Sequence, residues 1–227
     1  MKRVLLSVAI FLSITCSTDA QVIRNAKERA GDHAQIQVDK KQMERDRQEL
    51  ADFRRMVSNL EAAWKNGDAS EVNRIKSKII IAMDREIIQS KAKLSQDKRE
   101  VRGSKSELRF ERREVRRGRR DVRTRDGDIG DRRDLREDRR DKRDDRRDVR
   151  DDRKDFANQA QVLNRQKDIY NSLKNYNFVV KGPSVDKALK NKALLSEFTT
   201  TMEADLMFTR IELGEDKGEL REDRRER

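Results

Sequence analysis

Ile36, Met43, Leu50, Val57 and Trp64 stand seven residues apart, with Phe53 and Leu60 three places after two of them. Sevenfold spacing marks the buried stripe of a helix that pairs with another helix, and it predicts a first helix from about Ala34 to Lys65. Asn66-Gly67-Asp68 then supplies a helix-ending glycine and a capping aspartate. Val72, Ile75, Ile79, Met83 and Ile87 restart the pattern at once. So short a link favours antiparallel packing, and residues 34–94 read as an N-terminal helical hairpin.

Beyond it only one apolar residue per heptad survives. Ile80, Ile87, Leu94, Val101, Leu108, Val115, Val122 and Ile129 keep the interval of seven without a miss. The interval drops to six at Leu135, and sevens then resume through Lys142, Val149, Phe156, Leu163 and Tyr170. Asp126-Gly127-Asp128-Ile129-Gly130 coincides with this slip. Each glycine weakens a helix by about 1 kcal/mol, so a hinge is expected at 126–130. Asn175 to Ser184 contains the only proline and a Phe178-Val179-Val180 run, and reads as a loop. A last helix is expected to start near Ser184 or Asp186, with Leu189, Leu195, Phe198, Met202, Leu206 and Leu213 as its apolar face. Its expected partner is the stretch from Phe156 to Tyr176.

Charge changes this picture most between residues 95 and 155. Of the 25 residues from Asp131 to Asp155, 23 are charged, 11 acidic and 12 basic. At about 103° per residue for a seven-residue repeat, every acid falls on one flank of the seam and every base on the other, except Lys142 in the seam itself. The same rule holds around Leu108 and Val115, and Glu219 to Glu226 repeats Asp134 to Asp141 with only Asp/Glu exchanges. Neighbours at i,i+4 are mostly alike, as with Arg132 and Arg136 or Asp134 and Asp138, which penalises an isolated helix. Two such helices with seams facing put acid against base when parallel, and like against like when antiparallel. The pattern therefore predicts parallel self-association, or pairing with another charged helix, through Leu94, Val101, Leu108, Val115, Val122, Leu135, Val149 and Phe156. For the same reason it favours a bend over a full reversal at Gly127 to Gly130.

The whole chain has 227 residues, 44% of them charged and 33% hydrophobic. That is too little apolar surface for one compact globule. The expected architecture is all-α, an elongated coiled-coil-like rod with the N-terminal hairpin and a C-terminal helix packed back on it. Residues 95–155 form the rod, 156–212 a helix-loop-helix and 213–227 a charged tail. Met1-Lys2-Arg3, the run Val4 to Ile14 and the small residues up to Ala20 resemble a secretory signal peptide over residues 1–20. The apolar run is too short to span a bilayer. The expected location is periplasmic or extracellular, with lipid attachment at Cys16 as the alternative.

Positive charge is concentrated. From Lys98 to Arg125 there are 13 bases and 5 acids, densest at Arg112, Arg113, Arg116, Arg117, Arg119, Arg120, Arg123 and Arg125. Such a patch attracts polyanions (nucleic acid, acidic polysaccharide or an anionic envelope) through counterion release. Phe110 is the only aromatic there, so no stacking platform for bases interleaves the arginines. The Arg-Asp and Arg-Glu alternation resembles arginine–acid tracts of some RNA-binding proteins, although export argues against an intracellular RNA role.

Catalytic chemistry finds little support. His33 is the sole histidine, no serine has a histidine to activate it, and there is no glycine-rich phosphate loop. Asp126, Asp128, Asp131 and Glu137 resemble an acidic calcium loop, but Asp131 occupies the sixth position, where that loop needs glycine. The sequence thus points to an exported, non-enzymatic structural or interaction protein without cofactor or metal, with polyanion binding as the second reading.

Overall fold

A computed structural model of the chain describes residues 36–124, 129–176 and 185–225. Those residues are all-α. Four helices and no strand occur among them: α1 over 36–65, α2 over Ala69–Thr124, α3 over Ile129–Leu173 and α4 over Val185–Arg225. The expected signal segment, Cys16, His33, Arg125 to Asp128 and residues 177–184 of the expected loop lie outside the described residues. Among the described helices, none is long and apolar enough to cross a membrane.

The first turn follows the chemistry of its residues. Gly67 adopts φ 69°, the left-handed region that a glycine enters without a Cβ penalty. Asp68 then accepts a hydrogen bond from the Glu71 amide at 2.9 Å through Oδ1, capping one of the orphan donors of α2.

Residues 50–205 form one compact unit. Phe53 of α1, Val72, Ile79 and Met83 of α2, Leu163, Ile169 and Leu173 of α3, and Leu195 and Phe198 of α4 are its most deeply buried apolar side chains. The rings of Phe53 and Phe198 lie 5.3 Å apart at 36°, a tilted contact of the kind aromatic pairs prefer. Arg165 forks onto Glu197 with two 2.6 Å bonds, Arg54 meets Glu203 at 2.5 Å and Lys192 meets Glu61 at 3.1 Å. Thr199, Thr200 and Thr201 are poor helix formers by propensity. Their hydroxyls bond the carbonyls of Leu195, Ser196 and Phe198, so none is left open within α4. Residues 36–49 with 206–225 belong to a second unit, where Ile36 and Leu213 are buried together with Met43 against them.

The long charged stretch departs from the sequence expectation. A bend between α2 and α3 is not what forms: the two helices run antiparallel against each other. Ser90 contacts Gln166, Ser104 contacts Asp152, and Gly118 lies against Leu135 and Asp138. Fourteen residues down α2 thus match fourteen residues back along α3, two heptads per step. Like flanks therefore face each other, the arrangement that the charge rule disfavours.

Magnitudes explain the outcome. Exposed charge pairs are worth about 0.2–1 kcal/mol and are screened by salt. Burying one aliphatic side chain contributes about 1.5–3 kcal/mol. Val101, Leu108, Val115, Leu135 and Val149 are all buried, and with α2 and α3 only four residues apart in sequence their seams meet without a second chain. Three smaller expectations also fail. Ile129 is 88% exposed, Leu189 55% and Trp64 38%. Ile129 belongs by spacing to the α2 phase, yet it begins α3, whose seam is set by Leu135.

Phe198 is fully buried while Ile81 is 62% exposed. Phe198→Ala should lower the unfolding free energy by about 3–5 kcal/mol, and Ile81→Ala should change it by no more than about 0.5 kcal/mol, both read by urea denaturation of the full chain.

Candidate interaction surface of the charged hairpin

Lettering the heptad a to g with the seam residues at a, the position three further on is d. In α2 the d residues are Asp97, Ser104, Glu111 and Gly118. In α3 they are Asp138, Asp145, Asp152, Gln159 and Gln166. Every one of these is buried or half-buried, so the contact between the helices is two columns wide. One column is apolar and the other largely acidic. The shared register sets Gly118 opposite Asp138 and Ser104 opposite Asp152. A small residue thus makes room for a carboxyl in each of these two layers. A Cβ added at Gly118 would come within 3.1 Å of Asp138 Oδ2 and 3.3 Å of Leu135 Cδ1.

The acidic column changes its chemistry accordingly. Burial, reinforced by Glu100, Asp155 and Asp205, pushes Asp97 from an ordinary 3.8 up to about 7. Burial with Asp145, Asp141 and Asp138 across the interface raises Glu111 from 4.5 to about 7, and burial with Glu107 opposite raises Asp145 to about 6. Asp138, Asp148, Asp152 and Asp155 are also raised, each chiefly by burial. Loss of water disfavours the ionised form, and neighbouring carboxylates add repulsion.

At its inner end this column joins a polar cluster between three helices. Gln159 donates to Asp205 Oδ1 at 2.7 Å, and Lys93 pairs with Asp205. One heptad further in, the Ser90 hydroxyl donates to Gln166 Oε1 at 2.8 Å. Gln166 donates to Glu86 at 3.4 Å.

Bases occupy the other side. Positions b, e and f of both helices are predominantly Arg and Lys, and when two heptad helices pair antiparallel their e positions share one edge. Arg112 and Arg119 of α2 and Arg139 and Arg146 of α3 lie at e, and all four are exposed. Of the arginines expected to bind polyanions, Arg112, Arg113, Arg116, Arg117, Arg119, Arg120 and Arg123 are exposed on α2, while Arg125 lies outside the described residues. Arg117 pairs with Glu114 of its own helix at 2.8 Å, and Arg113 sits 6.0 Å from the centroid of the Phe110 ring. The expected seam is likewise accounted for: Leu94, Val122 and Phe156 are half-buried, and the other five are buried.

Sequence reasoning found the a column and the basic flank but missed the d column. The signal was present. Ser104 and Gly118 interrupt the acids of α2 at d, each opposite an aspartate.

Other sites are modest. Val57, Leu60, Trp64, Val72, Leu189 and Leu195 line an apolar recess of about 50 Å³ with Glu61 and Lys192 at its rim, well below the 300–1,000 Å³ of typical ligand pockets. Among the described residues no group of three or more His, Cys, Asp or Glu side chains is arranged to hold a metal. Asp126 and Asp128 of the calcium-loop pattern lie outside those residues. Comparison with protein families, with characterised proteins and with solved structures finds no match to this chain.

The antiparallel register makes a direct prediction. With Cys16 replaced by serine, the pair Ser104→Cys and Asp152→Cys should oxidise to an intramolecular disulfide in a chain of unchanged mass. Parallel pairing between copies would instead give linked dimers from the single Leu135→Cys variant.

Proposed function

We infer that the protein is an exported, non-enzymatic interaction protein whose charged hairpin holds a linear polyanion along its arginine edge. The observation that carries this reading is the antiparallel closure of α2 on α3. It turns acids at d inward and leaves bases from both helices exposed along the opposite edge. Over Lys98–Arg125 and Asp131–Asp155 together, 25 bases stand against 16 acids. Several of those acids, Glu111, Asp138, Asp145 and Asp152 among them, have a raised affinity for protons, which lowers their negative charge further. A heptad rises about 10.5 Å, so successive e-position guanidiniums form a regular track that a flexible chain of phosphate, sulfate or carboxylate groups can follow. Recognition would be electrostatic, since Phe110 is the one aromatic in the α2 part of the track.

Export rests on Met1 to Ala20: a basic start, an apolar run and a small residue ahead of Gln21. Whether residues 1–20 are removed or Cys16 carries lipid, the hairpin would act outside the cytoplasm. Parallel pairing of copies through the seam would require the hairpin to open, because the seam is buried within one chain. Association of copies is therefore not the primary mode proposed.

Heparin serves as the probe. Replacing Arg112, Arg116, Arg119 and Arg123 with glutamine should weaken binding at least about tenfold near 0.1 M salt and make its salt dependence shallower by about three to four counterions. Replacing Arg45, Arg47, Arg54 and Arg55 of α1 should have a much smaller effect. Equal losses from the two sets would contradict a defined edge.

A further inference from the structure

The carboxyl groups between α2 and α3 are placed where ionisation works against the fold. Asp97 is only 8% exposed, and its Oδ2 has no hydrogen-bond partner among the described residues. Asp145 Oδ2 is buried and unpartnered in the same way. Around Asp97 stand Glu100 from its own helix, Asp155 from α3 and Asp205 from α4, the last already held by Lys93 and Gln159. Glu111 looks across at Asp138, Asp141 and Asp145, with Glu114 beside it. Asp145 faces Glu107 of α2 and is flanked by Asp141, Asp144 and Asp148 on its own helix.

The next layer shows the contrast: the Ser104 hydroxyl, also in contact with the Glu100 carbonyl, donates to the Asp152 carboxyl across the interface, a donor that Asp97 Oδ2 and Asp145 Oδ2 lack.

We propose that the α2–α3 interface, over residues 97–124 and 129–155, is a proton-operated latch, closed on protonated carboxyl groups and loosened as those groups ionise. Its sense follows from linkage. Asp97, Glu111 and Asp145 bind protons more tightly in the folded state than at their ordinary values of 3.8, 4.5 and 3.8. Protonation therefore favours the closed hairpin fully below pH about 4, and the advantage is lost as pH rises through about 6 to 7. The apolar a column keeps the helices in register throughout this range, so the change is one of local opening rather than of global unfolding. The cluster of Phe53, Ile79, Leu163 and Phe198 contains no such carboxyl column and should not follow the same titration. The inference is independent of what the arginine edge binds.

Amide hydrogen exchange of the full chain at pH 5 and pH 8, corrected for the intrinsic pH dependence of exchange, tests it. Protection over residues 98–122 and 131–155 should fall at least about tenfold between the two conditions, the equivalent of one group shifted by one pH unit. Protection over residues 72–87 should change far less. The triple variant Asp97→Asn, Glu111→Gln, Asp145→Asn should be protected at pH 8 nearly as well as the parent chain is at pH 5. Unchanged protection of the parent chain between pH 5 and 8 would overturn the proposal, as would a folded triple variant that keeps the full pH dependence. The parent-chain comparison decides the matter even if the triple variant does not fold.

Discussion

One constraint governs the charged half of this protein: a seam with a single apolar residue per heptad must be covered, and a connection of four residues lets the chain cover it with itself. Everything else in α2 and α3 follows from that closure. Val101, Leu108, Val115, Leu135 and Val149 are buried by it, and the position three residues after each seam residue is carried into the contact as well. Those positions are mostly acidic or small. The hairpin is consequently held by dispersion and apolar burial against an electrostatic cost, the reverse of what the density of charge first suggests.

The cost is distributed in a consistent way. Gly118 and Ser104 give space or a hydrogen bond to the aspartates opposite them. Gln159 and Gln166 replace acids where α4 completes the packing and where water is most fully excluded, Gln166 being wholly buried. Where no such relief exists, around Glu111 and Asp145, burial and neighbouring carboxyls raise the affinity for protons instead. The bases escape this difficulty because their long side chains reach water from the b, e and f positions. Only the acids at d are carried inward; those at g, such as Glu107, Asp141 and Asp148, stay exposed on the edge opposite the e-position arginines.

Much of the fold was legible because helix periodicity is a local property. The C-terminal end of α1, the Gly67–Asp68 turn, the start of α4 at Val185 and the buried faces of α2 and α4 follow from spacing and capping residues alone. Leu189 is an exception: it fits the stripe but sits on the exposed side of the first turns of α4. The direction of the helix after residue 128 was not legible from charge, because the charge rule compares orientations at equal burial and ignores the chain connection. The phase slip at Leu135 held the better clue. A continuous or gently bent helix has no reason to restart its seam, whereas a reversed helix chooses a new one, leaving Ile129 exposed. The d column was hidden for a related reason: acids at the edge of a narrow seam look solvated until the opposing helix is known.

The antiparallel closure can be measured without reference to any partner. Nitroxide labels at Arg99 and Lys154, both exposed, would be read by pulsed dipolar spectroscopy in doubly labelled chain diluted with unlabelled chain. Helices packed 8–10 Å apart place the labels within about 30 Å of each other, and that distance should persist on dilution. A continuous helix through residues 99–154 would set them about 80 Å apart at 1.5 Å per residue, and a distance near that value would contradict the account.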